Sequence, residues 1–251
     1  MTPRVAEVVA ARIRDDILSG RLREGDLLPT QEQLFTEFGV SPPALREAFR
    51  ILETDGLVSV RRGNVGGAVV HLPSADRTAQ TIAMALQTRS ATPAEVSGAL
   101  LHLEPVCAGM CAARPDRSAE VVPHLEAEIA RQRACLDDPA RYVADARGFH
   151  EALVSHCGNE PMILLIGALE RIWSAHESAV WNDDAMVAAT MRAALRDHER
   201  ILAAIADGDA ARAVEAAQTH LTAARRHTLA VGRDRTIEAS RMVVNTGGRQ
   251  R

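Results

Sequence analysis

The chain of 251 residues is long enough for two modest domains, each with its own core, or for one large domain. Its formal net charge of −4 does not point to a polyanion partner, so any nucleic-acid surface has to be a local basic patch. Arg12, Arg14, Asp15 and Asp16 interrupt the first apolar run, which is not the pattern of a signal peptide. No later stretch has the roughly 18 uncharged apolar residues of a membrane span, and we therefore expect a cytoplasmic protein.

Three helices are predicted at the start of the chain. Apolar residues recur at helical spacing over residues 5–18. A second helix is predicted over residues 30–38, where Thr30 can begin a capping box. A third is predicted over residues 41–55, because Ser41 is a natural N-cap and a glycine follows the last turn.

A short β-hairpin is predicted directly after the third helix. Residues 57–62 and 67–72 have the composition of two short strands, and a glycine-rich turn joins them. Three helices followed by such a hairpin predict a winged helix-turn-helix. In that fold the third helix enters the major groove of DNA, and the hairpin, or wing, lies along the backbone or the minor groove.

The residues predicted to contact DNA lie at the starts of the second and third helices, on one face of the third helix, and in the wing. Arginines at these positions can reach guanine edges or phosphates, and glycines let the wing approach the duplex closely. The set is Thr30, Gln31, Ser41, Ala44, Arg46, Arg50, Arg61, Arg62, Gly63, Gly66 and Gly67. Taken singly, each has an ordinary structural explanation, so the prediction depends on the order of the elements.

The rest of the chain predicts a second, all-helical domain, so the expected fold class is mainly α. Residues 1–72 are predicted as the winged helix-turn-helix, residues 73–77 as a linker, and residues 78–231 as about six or seven amphipathic helices. The polar residues 232–251 are predicted as a disordered tail.

Four cysteines fall within the helical patterns. Cys107 and Cys111 are four residues apart on one helix face, and Cys135 and Cys157 stand alone. Without a neighbouring pair of His or Cys ligands, we interpret all four as buried small hydrophobic residues rather than as a metal or redox site.

Three histidines of the helical domain form a candidate metal site. His198 and His220 flank a turn at residues 207–209, so two antiparallel helices would bring them to similar heights. His150 shares its helix face with apolar residues, as His198 does, and would also point inward. Three converging imidazoles suit Zn, Ni or another borderline divalent ion. From spacing alone, three unrelated histidines remain the alternative.

The N-terminal part resembles the winged-helix domain of GntR-family bacterial transcription regulators. The resemblance covers about residues 5–72 and is carried by "GRLREGDLLP", "GVS", "REA" and "LETDGLV". It implies that Arg46 reads DNA and that residues 63–67 form the wing tip. Relatives usually have Arg at the position of Pro42, and many have Arg at the position of Glu32, so the operator sequence and the number of contacts are expected to differ.

The C-terminal part resembles the FCD ligand-binding domain of the FadR-type branch, through "LEPVCAGMCAAR", "FHEALVSHCGNEPM" and "DHERILAAIADGDAARAVEAAQTHL". The resemblance implies a metal held by one Asp and three His, and it matches the three His to His150, His198 and His220. The Asp position is Ala146 here, and Asp145 is rotated by about 100° around the helix. The ion is then held by three His with water or an effector oxygen, or Asp145 reaches in through a distortion, or the site is weakened or empty.

The resemblance also implies a small-molecule effector and a function in transcription. The Arg that commonly meets a carboxylate effector is Leu100 in this chain, four residues before Glu104, which favours a larger or more apolar ligand; Arg147 is a candidate replacement. We expect a homodimeric regulator, more often a repressor than an activator in this family, that binds a pseudo-palindromic operator and responds to a metabolite.

Two other functions are compatible with the residues. A metal-assisted enzyme on a helical bundle could use the three His to activate a water, with Glu151 or Glu199 as general base. A constitutive architectural DNA-binding protein would have no effector cavity. The first alternative predicts turnover that depends on His198, and the second predicts DNA affinity that no metabolite changes.

Overall fold

The protein is described by a computed structural model that covers residues 4–61, 67–177, 184–231 and 236–242. The chain divides into two compact units, Met1–Arg77 and Thr78–Arg251. Within the described residues, the first unit contains three helices and a two-stranded sheet, and the second is helical. The predicted mainly-α fold class is confirmed.

The helices of the first unit begin and end close to the predicted residues: α1 is Val5–Leu18, α2 is Gln31–Phe38 and α3 is Pro42–Thr54. Thr30 caps α2 as predicted, because its hydroxyl accepts the Gln33 amide hydrogen and the Gln33 side chain accepts the Thr30 amide hydrogen. Ser41 occupies the N-cap position of α3, but its side chain makes no cap hydrogen bond. Prolines fill the first two helical positions and have no amide hydrogen to donate.

The wing consists of β1 (Val58–Arg61) paired antiparallel with β2 (Gly67–Val70). Both strands are shorter than predicted, and Leu27 adds a single bridge to Val69. Arg62, Gly63 and Gly66 lie outside the described residues.

The core of the first unit determines which face of α3 is exposed. Leu45, Ala48, Phe49 and Leu52 are buried on one stripe, where α3 packs against α1. Arg46 and Arg50 lie one turn apart between these positions and are exposed. Burial of the apolar stripe therefore presents the two arginines to solvent.

The second unit contains eight helices within the described residues: α4 (Ala75–Gln87), α5 (Pro93–Ala113), α6 (Arg117–Glu120), α7 (Val122–Ala134), α8 (Pro139–Ser155), α9 (Glu160–Glu177), α10 (Asp184–Ala206) and α11 (Ala210–Val231). Two details differ from the sequence analysis. The one-turn α6 lies where a break was predicted, and residues 75–77, predicted as part of the linker, form the first turn of α4.

Helix α5 is the central helix of this unit. By length and composition it is apolar enough to cross a membrane, but 56% of its apolar window is buried within the protein. It packs closely on α11, because a Cβ atom at Gly109 would lie 2.7 Å from Cγ2 of Val214. This close approach fixes the position of α11, which carries His220.

All four cysteines are free and buried, as predicted. Cys107 and Cys111 lie on α5, and the Cys111 thiol donates a hydrogen bond to the Leu153 carbonyl oxygen at 3.2 Å. Burial raises the pKa of the Cys111 thiol to about 12. At neutral pH such a thiol is a packed side chain rather than a metal ligand or a nucleophile.

The expectation of a disordered tail is wrong for residues 236–242. Ile237 is completely buried in the core of the helical unit, and its amide donates to the Ala91 carbonyl oxygen at 2.8 Å. The next amide, of Glu238, donates to Nε2 of His176 at 3.0 Å. An apolar residue within a polar stretch therefore anchors this segment, which we call the C-terminal strap. The flanking residues 232–235 and 243–251 lie outside the described residues.

We expect Ile237→Ala to lower the free energy of unfolding of the full chain by about 2–5 kcal/mol, since it leaves a cavity in the core. Ser240→Ala, two steps further at an exposed position of the same strap, should change it by less than about 0.5 kcal/mol. Urea unfolding followed by circular dichroism measures both. Equal stability of the Ile237 variant and the wild type would contradict the packing of the strap.

Candidate functional site

The three histidines predicted as metal ligands converge in the helical unit. His150 lies on α8, His198 on α10 and His220 on α11. Nε2 of His220 lies 3.1 Å from Nε2 of His198 and 3.3 Å from Nε2 of His150. Three separate helices thus direct the same ring atom to one point.

These separations match the coordination sphere of a borderline divalent ion. Ligand nitrogens at about 2.0–2.1 Å from a tetrahedral zinc ion lie roughly 3.3–3.4 Å from one another. Because the imidazoles already stand at that spacing, an ion can bind between them with little rearrangement. His150, His198 and His220 therefore fit a divalent metal as three of its ligands, with further positions left for water or an effector.

The other ring nitrogen of each histidine faces an oxygen acceptor. Nδ1 of His150 lies 2.5 Å from Oε1 of Glu104 on α5. Nδ1 of His198 lies 2.8 Å from Oε1 of Gln132, and Nδ1 of His220 lies 3.7 Å from Oδ2 of Asp197.

An acceptor beside Nδ1 favours the tautomer with hydrogen on Nδ1, which leaves the lone pair of Nε2 directed at the centre. Such partners orient metal ligands and increase their basicity. Phe149 also restrains the site, because its ring stacks on His198 with centroids 4.2 Å apart.

Burial keeps the histidines neutral. It lowers the pKa of His198 well below its usual value and also lowers the pKa of His220, and the neighbouring imidazoles act in the same direction. For Glu104, burial alone would raise the pKa, but the charge of His150 and hydrogen bonds with His150 and Glu170 lower it. Neutral imidazoles beside an ionised carboxylate are the protonation states that metal binding requires.

Asp145 does not belong to this cluster, so the interpretation in which it reaches the ion through a distortion is wrong. Its Oδ2 accepts a hydrogen bond from the Cys135 thiol at 3.2 Å and lies 3.8 Å from Nε of Arg141. The undistorted helix α8 turns Asp145 away and presents Ala146 to the cavity instead.

The sequence analysis missed the residues that support the histidines. Glu104 was noted only as part of the "LE" motif, Asp197 precedes His198 directly, and Gln132 lies on α7 with no local signal. Glu104 and Glu170 also lie close to His150 in a second cluster of possible ligand atoms. Only the packing of α5, α7 and α9 around α8 brings these groups together.

A cavity of about 160 Å³ opens beside the histidines. Arg147 lines it, as the sequence analysis suggested, and Arg225 of α11 lines it as well. Much of the wall is apolar and includes Leu100, Val143, Ala146, Trp173 and Leu221. Glu151 and Glu199 are not among the lining residues, and Glu199 instead pairs with Arg133 at 2.6 Å.

The predicted DNA-contacting residues are mostly exposed in the first unit. Thr30, Gln31, Ser41, Arg46 and Arg50 are exposed, and Ala44 is half-buried. The Thr30 hydroxyl is engaged in the α2 cap, and Nη1 of Arg50 lies 3.4 Å from Oε2 of Glu47. In the wing, the Arg61 backbone pairs with Gly67; the Arg61 side chain lies outside what the structure describes.

Comparison with known proteins gives two family matches. Residues 5–69 match the family described as bacterial regulatory proteins, gntR family, and residues 95–223 match the FCD domain.

Relatives are similar over most or part of the chain. The transcriptional repressor NanR of Edwardsiella tarda is 27% identical over 90% of this chain and 86% of its own. The transcriptional regulator Mce2R of Mycobacterium tuberculosis is 44% identical over 61 residues, so the chain matches only 25% of that protein's length. Among solved structures, a Streptococcus agalactiae GntR protein superimposes with a TM-score of 0.70 at 21% identity, over 88% of this chain and 99% of its own. This last similarity concerns the fold alone.

Proposed function

The chain belongs to the GntR family of bacterial transcription regulators, in the FadR-type branch with an FCD domain, and we propose that it is a homodimeric repressor controlled by a metabolite. The observation that carries the regulatory part of this proposal is the convergence of three Nε2 atoms beside a cavity. A relative named as a repressor, similar over most of the chain, supports the direction of regulation.

DNA recognition is assigned to α3 and the wing. Arg46 is exposed on α3 and can donate two hydrogen bonds to a guanine edge, whereas Arg50 is held near Glu47 and suits a phosphate. Pro42 and Pro43 remove two amide donors from the start of α3, so phosphate contacts there fall to Ser41 and the Ala44 amide. One recognition helix reads few base pairs, and a homodimer on a pseudo-palindromic operator multiplies the discrimination.

A divalent ion, Zn or Ni, would be held by His150, His198 and His220. When bound, it supplies a Lewis-acidic position that an anionic or carbonyl oxygen of an effector can occupy. Glu104, Gln132 and Asp197 hold the rings in place, and the apolar cavity wall excludes water. The chain's contribution is therefore an oriented tripod beside a small dry chamber.

Regulation follows from differential binding of the effector. The tripod uses helices α8, α10 and α11, and its supporting acceptors come from α5, α7 and α10. An effector that binds one arrangement of these helices better shifts the population toward it. About 1.4 kcal/mol of differential affinity is enough to change DNA affinity tenfold. We place the protein in the cytoplasm, where such regulators meet both DNA and metabolites.

We expect Arg46→Gln to weaken binding to DNA from the protein's own promoter region by about 1–3 kcal/mol, or roughly 5- to 150-fold, because a guanine contact is lost. Arg133→Gln, which removes one exposed charge of the helical unit, is the matched control and should bind as the wild type does. Fluorescence anisotropy at several salt concentrations measures both. If Arg46→Gln retains wild-type affinity for promoter DNA, the assignment of α3 fails.

Metal binding can be tested separately from DNA binding. After removal of ions by a chelator, we expect the wild type to bind one Ni²⁺ or Zn²⁺ per chain, with a higher melting temperature. His198→Gln should abolish this binding, and Glu104→Gln should weaken it by about 10- to 100-fold. His124→Gln, an exposed histidine outside the cluster, should have no effect. A wild-type protein that no divalent ion stabilises would reject the metal site.

A further inference from the structure

Arg225 is a cavity-lining cation that the sequence analysis did not identify. It lies on α11, five residues after His220, and its Nε atom is buried without a hydrogen-bond partner among the residues that the structure describes. A buried guanidinium donor without an acceptor is costly. The cavity is therefore already arranged to receive an acceptor at this position.

The Arg225 side chain crosses to α5 at a position without a side chain. A Cβ atom at Gly98 would lie 3.4 Å from Nη2 of Arg225, so the guanidinium group lies against the α5 backbone. Two residues further along α5, Leu100 is 3% exposed and forms part of the cavity wall. The resemblance to FCD domains assigns an arginine to the Leu100 position. In this chain the cationic side chain reaches the α5 wall from α11, and the α5 position itself is apolar.

The other charged groups of the cavity have partners within the protein. Asp197 pairs with Arg200 at 2.8 Å and faces His220, and Glu170 hydrogen-bonds to Glu104. Arg147 has polar interactions of its own. Arg225 is thus the lining residue whose buried donor calls for a ligand.

We propose that Arg225 binds the carboxylate of the effector and that the effector has an apolar body. This proposal rests on the regulatory function proposed above and specifies its ligand. Arg225 donates hydrogen bonds from its planar guanidinium group to the carboxylate. The body of the ligand packs against Leu100, Val143 and Trp173, where a polyhydroxylated ligand would leave hydroxyl groups unpaired. Exchange of an arginine for Leu100 on α5 therefore changes which carboxylates the cavity accepts.

Hexanoate, hexanamide and gluconate separate charge from polarity, since all three have six carbons. Isothermal titration of the full chain should give at least tenfold tighter binding of hexanoate than of hexanamide or gluconate. Arg225→Gln should weaken hexanoate binding by about 10- to 100-fold and leave hexanamide binding unchanged, because only a charge-assisted contact is removed. Arg225→Lys, which keeps the charge but loses the planar fork, should be intermediate and serves if the Gln variant does not fold.

A double variant tests the exchange between the two helices directly. Leu100→Arg combined with Arg225→Gln should recover part of the lost hexanoate affinity, since it returns a guanidinium to the α5 wall. Hexanoate binding that Arg225→Gln leaves unchanged, or a wild type that prefers gluconate or binds no hexanoate at millimolar concentration, would overturn the proposal. DNA affinity and metal binding without hexanoate should equal the wild type in every variant. Their loss in the wild type itself would instead contradict the proposed function.

Discussion

The contact among the three Nε2 atoms is the constraint on which the helical unit depends. Glu104 and Gln132 accept from Nδ1 of His150 and His198, so the Nε2 lone pairs of these rings point at the same small volume. Lone pairs about 3 Å apart repel one another unless a positive charge lies between them. A divalent ion removes that repulsion, and burial keeps the rings from acquiring protons in its place.

The arrangement of the helices follows from this centre and from the small residues around it. Gly109 lets α5 approach α11 closely, and α5 also carries Glu104, the partner of His150. The same helix supplies Gly98 and Leu100 to the cavity beside Arg225. One central helix thus supports a metal ligand and forms the ligand-facing wall. A ligand that shifts α5 would act on both, which gives the cavity a physical route to the rest of the unit.

Local patterns were sufficient for the helices and the hairpin, and insufficient for contacts between distant helices. The capping box at Thr30 and the apolar stripe of α3 are encoded within a few residues, and the structure contains both. The convergence of His198 and His220 followed from helix geometry across one turn. Gln132, Glu170 and Arg225 reach the site only through tertiary packing, so no spacing indicated them. Ile237 was overlooked because one apolar residue in a polar segment carries no periodicity.

X-ray absorption spectroscopy of the nickel- or zinc-loaded full chain tests the central claim most directly. The account predicts three imidazole nitrogens at about 2.0–2.1 Å, with the remaining scatterers oxygens of water or added carboxylate. Sulfur scattering at about 2.3 Å, or a spectrum with fewer than three imidazoles, would contradict it, because the ion would then be bound away from His150, His198 and His220.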